Sequence, residues 1–381
     1  MKENKGVGPN LKTYYYYTNE AAETEDVKGV VVVASGIEAT GALYDEMGEY
    51  LSSKGYAMYA IDEWGYGKTG KVTKEIYKNW GKKSAHFAAY NLHALSVLAK
   101  SQHPSAPIYL VANDFGAMLS LYLLKEFPEV VDKIVTIGWG APRMQDYGFL
   151  FTSWIRKVCL YDSGVAKLAH FSKNKRLALR FERHEKYAWL SSDLDQVKKI
   201  REAGYIDEAG TVGHYFYYYL NKVKIPMFMK KIKKCDRTTP MLFVSGNDDL
   251  LTLRGRKTKK LAKFYKSKKF TNVNSLIVKG RHELLFEKNR FENMDTILEW
   301  LETGEVNKEI KIASDKYEQE LNVEIVGENK EIVVIENKTE TPIQNEVIEE
   351  VEVDVKKNQK TFDELQPADD DLLIKTNKES K

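Results

Sequence analysis

Pro107-Ile108-Tyr109-Leu110-Val111-Ala112-Asn113-Asp114-Phe115-Gly116-Ala117-Met118 is the stretch from which the rest of the chain can be read. Ile108 to Val111 is an unbroken apolar run with β-branched and aromatic members, as expected of a strand buried on both faces of a parallel sheet. From Ala117 to Phe127 the residues are good helix formers, and Pro128 stops them. The strand breaks at a small polar corner, Asn113-Asp114, before the helix begins, and the chemistry is expected at that corner. An aspartate at such a place also has an ordinary role, because Asp is a favoured helix N-cap.

Working outward, Gly29 to Ala34 reads as a central strand, closed by the loop Ser35-Gly36-Ile37-Glu38-Ala39-Thr40. Leu43, Met47, Tyr50 and Leu51 recur at helical spacing, and Gly55 ends that helix. Tyr56 to Ile61 is a further strand that runs into the glycine-rich loop Asp62 to Gly70. That loop lacks the GxxxxGK[ST] spacing of a phosphate cradle. Residues 12 to 18, with the run Tyr14 to Tyr17, predict an edge strand, and Ala88, Leu92, Leu95 and Ala99 form the stripe of another helix. Downstream, strands are expected at Lys133 to Gly138, Met241 to Gly246 and Ser275 to Lys279. A last helix carries Phe291, Met294, Leu298 and Leu301 on one face. Strands alternating with amphipathic helices predict an α/β fold with a doubly wound, mostly parallel sheet.

The interruption from Ala141 to Thr239 is too long for a bare loop and predicts an inserted cap. The expected organisation is a core from 1 to 140, a cap from 141 to 239, a second core segment from 240 to 304 and a tail from 305 to 381. Trp154, Tyr187, Trp189 and the cluster Tyr215 to Tyr219 suit either the cap's own core or a lid over a hydrophobic substrate. The run Lys230-Lys231-Ile232-Lys233-Lys234 suits either a solvated face or an anionic membrane surface.

A formal net charge of +3 hides an asymmetry, since residues 305 to 381 hold 21 acidic against 11 basic residues. The body is therefore basic and the tail acidic, with too little apolar content in the tail for a packed core; disorder is expected there. No apolar stretch follows Met1, and nowhere do roughly 18 apolar residues run together. The expectation is a soluble, cytoplasmic protein with at most peripheral contact at the inner membrane surface. Cys159 and Cys235 are too few for a disulfide framework or a four-ligand zinc site and read as reduced thiols. No metal or organic cofactor is indicated, and no nucleic-acid partner is expected.

Two further sites follow in chain order. Gly246-Asn247-Asp248-Asp249 comes after one predicted strand and Gly280-Arg281-His282-Glu283-Leu284-Leu285 after another. Ligands of open α/β sheets sit beyond the carboxyl ends of the strands, where Asp114, Asp249 and His282 all fall. The order is that of nucleophile, acid and histidine.

Over roughly residues 12 to 302 the chain resembles the lysophospholipase and monoacylglycerol lipase group of α/β-hydrolases, which are serine aminopeptidase-type hydrolases. Ser35-Gly36-Ile37-Glu38 is similar to that group's HGxGE loop, and Asp62-Glu63-Trp64-Gly65-Tyr66-Gly67-Lys68-Thr69-Gly70 to its DxRGHGxSG. Trp189-Leu190-Ser191-Ser192-Asp193 resembles its WLSRD, and Gly280 to Leu285 its GxRHELL. Ala112-Asn113-Asp114-Phe115-Gly116 occupies the place of the GxSxG nucleophile elbow. The resemblance implies an α/β-hydrolase fold and a hydrophobic, lipid ester-type substrate. It implies His282 as catalytic base, Asp249 as its orienter with Asp248 as a substitute, and the backbone N–H groups of Ile37 and Phe115 as the oxyanion hole.

Two positions depart from the pattern, for Ser35 stands where the group has a loop histidine and Asp114 where it has the serine nucleophile. No other GxSxG replaces it. A carboxylate is already ionised and attacks directly, so on an sp3 carbon it yields a stable ester that His282 can hydrolyse through water. On an ester carbonyl it yields a reactive mixed anhydride. Epoxide hydrolases and haloalkane dehalogenases are similar in using an aspartate there, although they carry HGxP and usually Trp where this chain has Ile37-Glu38 and Phe115. The expectation is a hydrolase, with alkyl-aspartate chemistry as one alternative and a silent lipid- or protein-binding relative as another.

Overall fold

The computed structural model describes residues 1–22, 27–36, 40–127, 129–159, 177, 179–181, 185–203, 206, 210–225, 236–317 and 319. Eight strands form one sheet: β1 (Lys2–Val7), β2 (Thr13–Asn19), β3 (Gly29–Ala34), β4 (Tyr56–Ile61), β5 (Ile108–Asn113), β6 (Lys133–Ile137), β7 (Met241–Gly246) and β8 (Val273–Val278). Their spatial order is β1-β2-β4-β3-β5-β6-β7-β8. β1 and β2 pair antiparallel with their neighbours, and from β4 to β8 every pairing is parallel. The helices around the sheet are α1 (Asp45–Ser53), α2 (Gly67–Val72), α3 (Ser84–Gln102), α4 (Phe115–Glu126), α5 (Met144–Cys159), α6 (Leu194–Glu202), α7 (Val212–Lys224), α8 (Arg256–Ser267) and α9 (Arg290–Thr303).

The valine run of β3 explains why the sheet is covered on both sides. Successive side chains of a strand point to opposite faces. Val30, Val32 and Ala34 accordingly join one core with α3 and α4, while Val31 and Val33 join the other with α1 and α9. All six residues of β3, β4, β5 and β7 are buried. The chain winds outward from β3 to β4 and then returns to place β5 on β3's other side. The strand order reverses between β3 and β5, and the crevice there, at the carboxyl ends, is where such sheets bind ligands. β5 ends at Asn113, so Asp114 stands at that crevice.

Three features differ from the reading of the sequence. β2 is not the edge of the sheet, because β1 pairs outside it, from Lys2 opposite Thr18 to Val7 opposite Thr13. Its sequence KENKGV is polar and largely exposed, as befits an edge strand blunted by charge, and so carries no apolar alternation. Part of the loop Asp62 to Gly70 is the first turn of α2. Lastly, residues 308–317 of the acidic segment are helical. Val306 and Ile310 pack on the core there, and Ile277 N–H donates to the buried Ser314 hydroxyl at 2.8 Å. The sparse apolar residues of that stretch suffice because β8 offers them a surface. Residues 320–381, the run Lys230 to Lys234, Cys235 and Ile37 lie outside the described residues.

Between β6 and β7 the described residues hold α5, α6 and α7. No described helix is long and apolar enough to cross a membrane.

The elbow depends on one glycine. A Cβ on Gly116 would overlap the Ala34 carbonyl of the neighbouring strand, which is backbone and has nowhere to move. Gly116→Ala is expected to cost about 3 kcal/mol or more, read as a drop in the urea midpoint; an unchanged midpoint would contradict the close approach of α4 to β3.

Candidate active site

Asp114 adopts φ 41° and ψ −107°, a conformation that residues with a side chain avoid. The turn is held from both sides, as Asp114 N–H donates to the Ile137 carbonyl at 2.9 Å and Ala117 N–H to the Asp114 carbonyl at 3.1 Å. Although Asp114 occupies the N-cap position of α4, its carboxylate makes no capping hydrogen bond to that helix. The N-cap role open to it in the sequence is therefore not the one it performs. The carboxylate turns to the histidine.

His282 Nε2 lies 3.5 Å from Asp114 Oδ1, and His282 Nδ1 lies 3.1 Å from Asp249 Oδ1. The three come from the ends of β5, β7 and β8 and are 4 %, 0 % and 1 % exposed in the order Asp114, Asp249, His282. Asp249 is fixed by the Leu251 N–H at 2.8 Å and the Thr252 hydroxyl at 2.8 Å. Asp248, the substitute, points elsewhere: it is half-buried and faces Arg254 and Arg281 at about 4 Å. Gly138 keeps room for the ring, since a Cβ there would come within 3.0 Å of His282 Cε1.

Burial alone would discharge the imidazole, but the charge of Asp249 and the charge and contact of Asp114 overcome it and hold the pKa of His282 well above its ordinary value. Burial likewise pushes Asp249 up, and the His282 charge and hydrogen bond more than reverse that push, leaving its carboxyl below the usual range.

The histidine loop is braced from behind. Trp189 packs on the His282 ring at 5.4 Å, Glu283 N–H donates to the Leu190 carbonyl at 2.8 Å, and Arg281 binds the Ala188 and Ser191 carbonyls at 2.7 and 3.0 Å. The Trp189 to Asp193 segment thus supports His282 directly.

Of the two N–H groups expected to form an oxyanion hole, that of Phe115 belongs to the first residue of α4, where N–H groups have no intrahelical acceptor. Its ring is buried against Tyr66, Trp80 and Tyr218. Ile37 lies outside the described residues.

Reading the sequence overlooked four charged or polar side chains here. Glu283 is buried beside Asp114, with Asn113 Nδ2 donating to it, and burial pushes its pKa up to about 7. Tyr44 is buried near the same group. Arg143 and Lys222 line a cavity of about 10 Å³ together with Asp114, Gly138, Trp139 and Asp146. A space that small barely admits one water. Among the described residues no group of His, Cys, Asp or Glu is arranged to hold a metal ion.

Glu283 makes stability depend on pH. Its carboxyl binds a proton more readily folded, at about 7, than at the ordinary 4.5, so stability falls as pH rises between those values, by about 3 kcal/mol in the limit. Glu283→Gln is expected to remove that slope. Urea midpoints at pH 5 and pH 8 check it, and an equal difference in both proteins would contradict the assignment.

Residues 25–289 match the family described as serine aminopeptidase, S33. A curated relative, a monoglyceride lipase homolog of Monkeypox virus, is 24 % identical over 129 residues, which span 34 % of this chain and 45 % of the relative. The chain thus covers about half the length of that protein. Among solved structures, the fold is similar to a carboxyl esterase from Bacillus coagulans at a TM-score of 0.68 and 17 % identity, covering 79 % of this chain and 97 % of the esterase. It is also similar to a monoglyceride lipase from Saccharomyces cerevisiae at a TM-score of 0.56 and 13 % identity, covering 80 % and 96 %. The sheet order, the strained corner of β5 and the match over most of the folded chain agree: the chain belongs to the serine aminopeptidase S33 family of α/β-hydrolases.

Proposed function

We propose that the chain is a hydrolase of hydrophobic, lipid-like substrates in which Asp114 is the nucleophile, His282 the base, Asp249 its orienter, and the N–H groups of Ile37 and Phe115 the oxyanion hole. One observation carries the reading: His282 lies 3.1 Å from one buried carboxylate and 3.5 Å from the other, which sits on a strained corner. The curated relative is named for monoglycerides, which supports a lipid-like substrate.

The electrostatics favour attack at an sp3 carbon. While Asp114 is charged, the imidazole is held protonated and cannot serve as a base. Once Asp114 becomes a neutral ester, one of the two charges that raise the His282 pKa is gone, and the ring holds its proton less tightly and can pass it on. It then takes one from water, which attacks the ester carbonyl, and the N–H donors stabilise the tetrahedral oxyanion. The charge on the nucleophile therefore sets the order of the two steps.

The cap also supports peripheral membrane contact. Met144, Tyr147, Phe151, Trp154 and Val158 of α5 are all exposed and recur every three or four residues, which puts them on one helix face. Arg156 and Lys157 close the same helix. An apolar face with cations beside it suits an anionic lipid surface.

Two experiments test these readings. His282→Ala, offered a long-chain terminal epoxide, is expected to accumulate a protein adduct of the epoxide's mass, absent from the variant that also carries Asp114→Asn. No adduct under saturating epoxide would overturn the aspartate mechanism. For the membrane, the protein is expected to co-sediment with phosphatidylglycerol vesicles, and Phe151→Glu with Trp154→Glu to lose at least about tenfold of that binding. Equal binding by the double variant would exclude α5 as the contact.

A further inference from the structure

Displacement by Asp114 moves one negative charge from the carboxylate to the leaving atom, whatever the substrate. The charges that line the nucleophile's cavity therefore bear on which leaving groups the site accepts. Asp114 shares that cavity with Arg143, Asp146 and Lys222, and with Gly138 and Thr252, which lie against His282 and Asp249.

Asp146 of α5 is 1 % exposed and is flanked by Lys222 of α7, at 3.4 Å, and Arg143, at 3.7 Å. The two cations are themselves largely buried, with side chains 13 % and 11 % exposed. Arg143 is anchored to the Leu250 carbonyl at 3.3 Å, in the loop that carries Asp249, and Lys222 lies 5.4 Å over the Trp139 ring. Tying α5 to α7 needs only one cation for one acid, and each buried charge costs several kcal/mol of lost hydration. With the second cation, and with Lys257 interacting electrostatically with both Arg143 and Asp146, positive charges outnumber Asp146 in this wall. That surplus lines the same cavity as Asp114, so it is close at hand when Asp114 is esterified and a leaving group takes up the charge.

We infer that Lys222 and Arg143 receive the leaving atom of the reaction that Asp114 begins, and that Lys222 protonates it, so that the substrate class is an epoxide carried on a hydrophobic chain. The inference rests on the aspartate mechanism proposed above. In the first step an Asp114 oxygen bonds to an epoxide carbon, the carbon–oxygen bond of the ring breaks, and the departing oxygen takes a proton from the Lys222 ammonium. The proton that His282 releases once Asp114 is neutral restores Lys222. Water then attacks the ester carbonyl, giving one proton to His282; the acyl carbon–oxygen bond breaks, the departing alkoxide takes water's other proton, the Asp114 carboxylate returns, and the product is a diol. Lys222 and Arg143 act differently here: an ammonium can give up its proton, whereas a guanidinium at its far higher pKa supplies charge and hydrogen bonds alone.

That difference provides the test. In the His282→Ala background, adduct formation is timed by mass spectrometry with two probes of equal chain length, a terminal epoxide and a primary alkyl bromide. An alkoxide needs a proton on departure and a bromide does not. Lys222→Arg keeps the charge beside Asp146 while removing the acid. It is expected to slow alkylation by the epoxide at least about 100-fold and by the bromide less than about tenfold. Lys222→Met is expected to slow both. Equal rates for Lys222→Arg and its parent with the epoxide, or equal slowing with both probes, would overturn the role of Lys222 and leave Asp114 as nucleophile. Failure of the parent to react with either probe would instead overturn the aspartate mechanism and this inference with it.

Discussion

A buried imidazole gripped by two carboxylates is the interaction around which the carboxyl edge of this sheet is arranged. Burial to 1 % exposure disfavours a charged histidine, yet Asp249 and Asp114 hold the pKa of His282 well above its ordinary value. An ion flanked on both sides in a dry environment tolerates little displacement, because loss of either partner leaves an uncompensated charge. The hydroxyl and N–H groups that fix Asp249, and the carbonyls that clamp Arg281, can be understood as the means of holding that row in line.

Replacing a serine hydroxyl by a carboxylate alters more than the attacking atom. In the mechanism proposed above, the nucleophile's own charge raises the pKa of the histidine that must act as base. The cavity that Asp114 lines also holds Arg143 and Lys222, which outnumber Asp146. Backbone strain at Asp114 adds about 1–3 kcal/mol of cost, and the surrounding ladder, together with the bare Gly116, supplies the constraint that maintains it.

How much of this could be read in the sequence follows from where the information lies. β3, β4 and β7 were legible to the residue, because a strand buried on both faces must be an unbroken apolar run. Asp114, Asp249 and His282 were legible as a series, since each directly follows such a strand. β1 was not, as an edge strand needs no apolar face, and neither was α8, whose buried side is only Thr258, Leu261, Ala262 and Tyr265 among lysines. Arg143 and Lys222 lie in separate parts of the inserted segment and meet only through the packing of α5 on α7. Glu283 follows His282 directly, but nothing in its local pattern says that it is buried.

The two rims of the sheet are closed by different means, and this bears on how the molecule meets its own copies. On the β1 side the guard is charge, which salt weakens. On the β8 side it is covalent continuity: the helical residues 308–317 lie across the last strand, and a serine hydroxyl answers a backbone amide that a foreign strand would otherwise take. A polypeptide ending with α9 at Thr303 would lack this guard, so a segment whose composition looks little like structure covers an edge that would otherwise be open to a further strand.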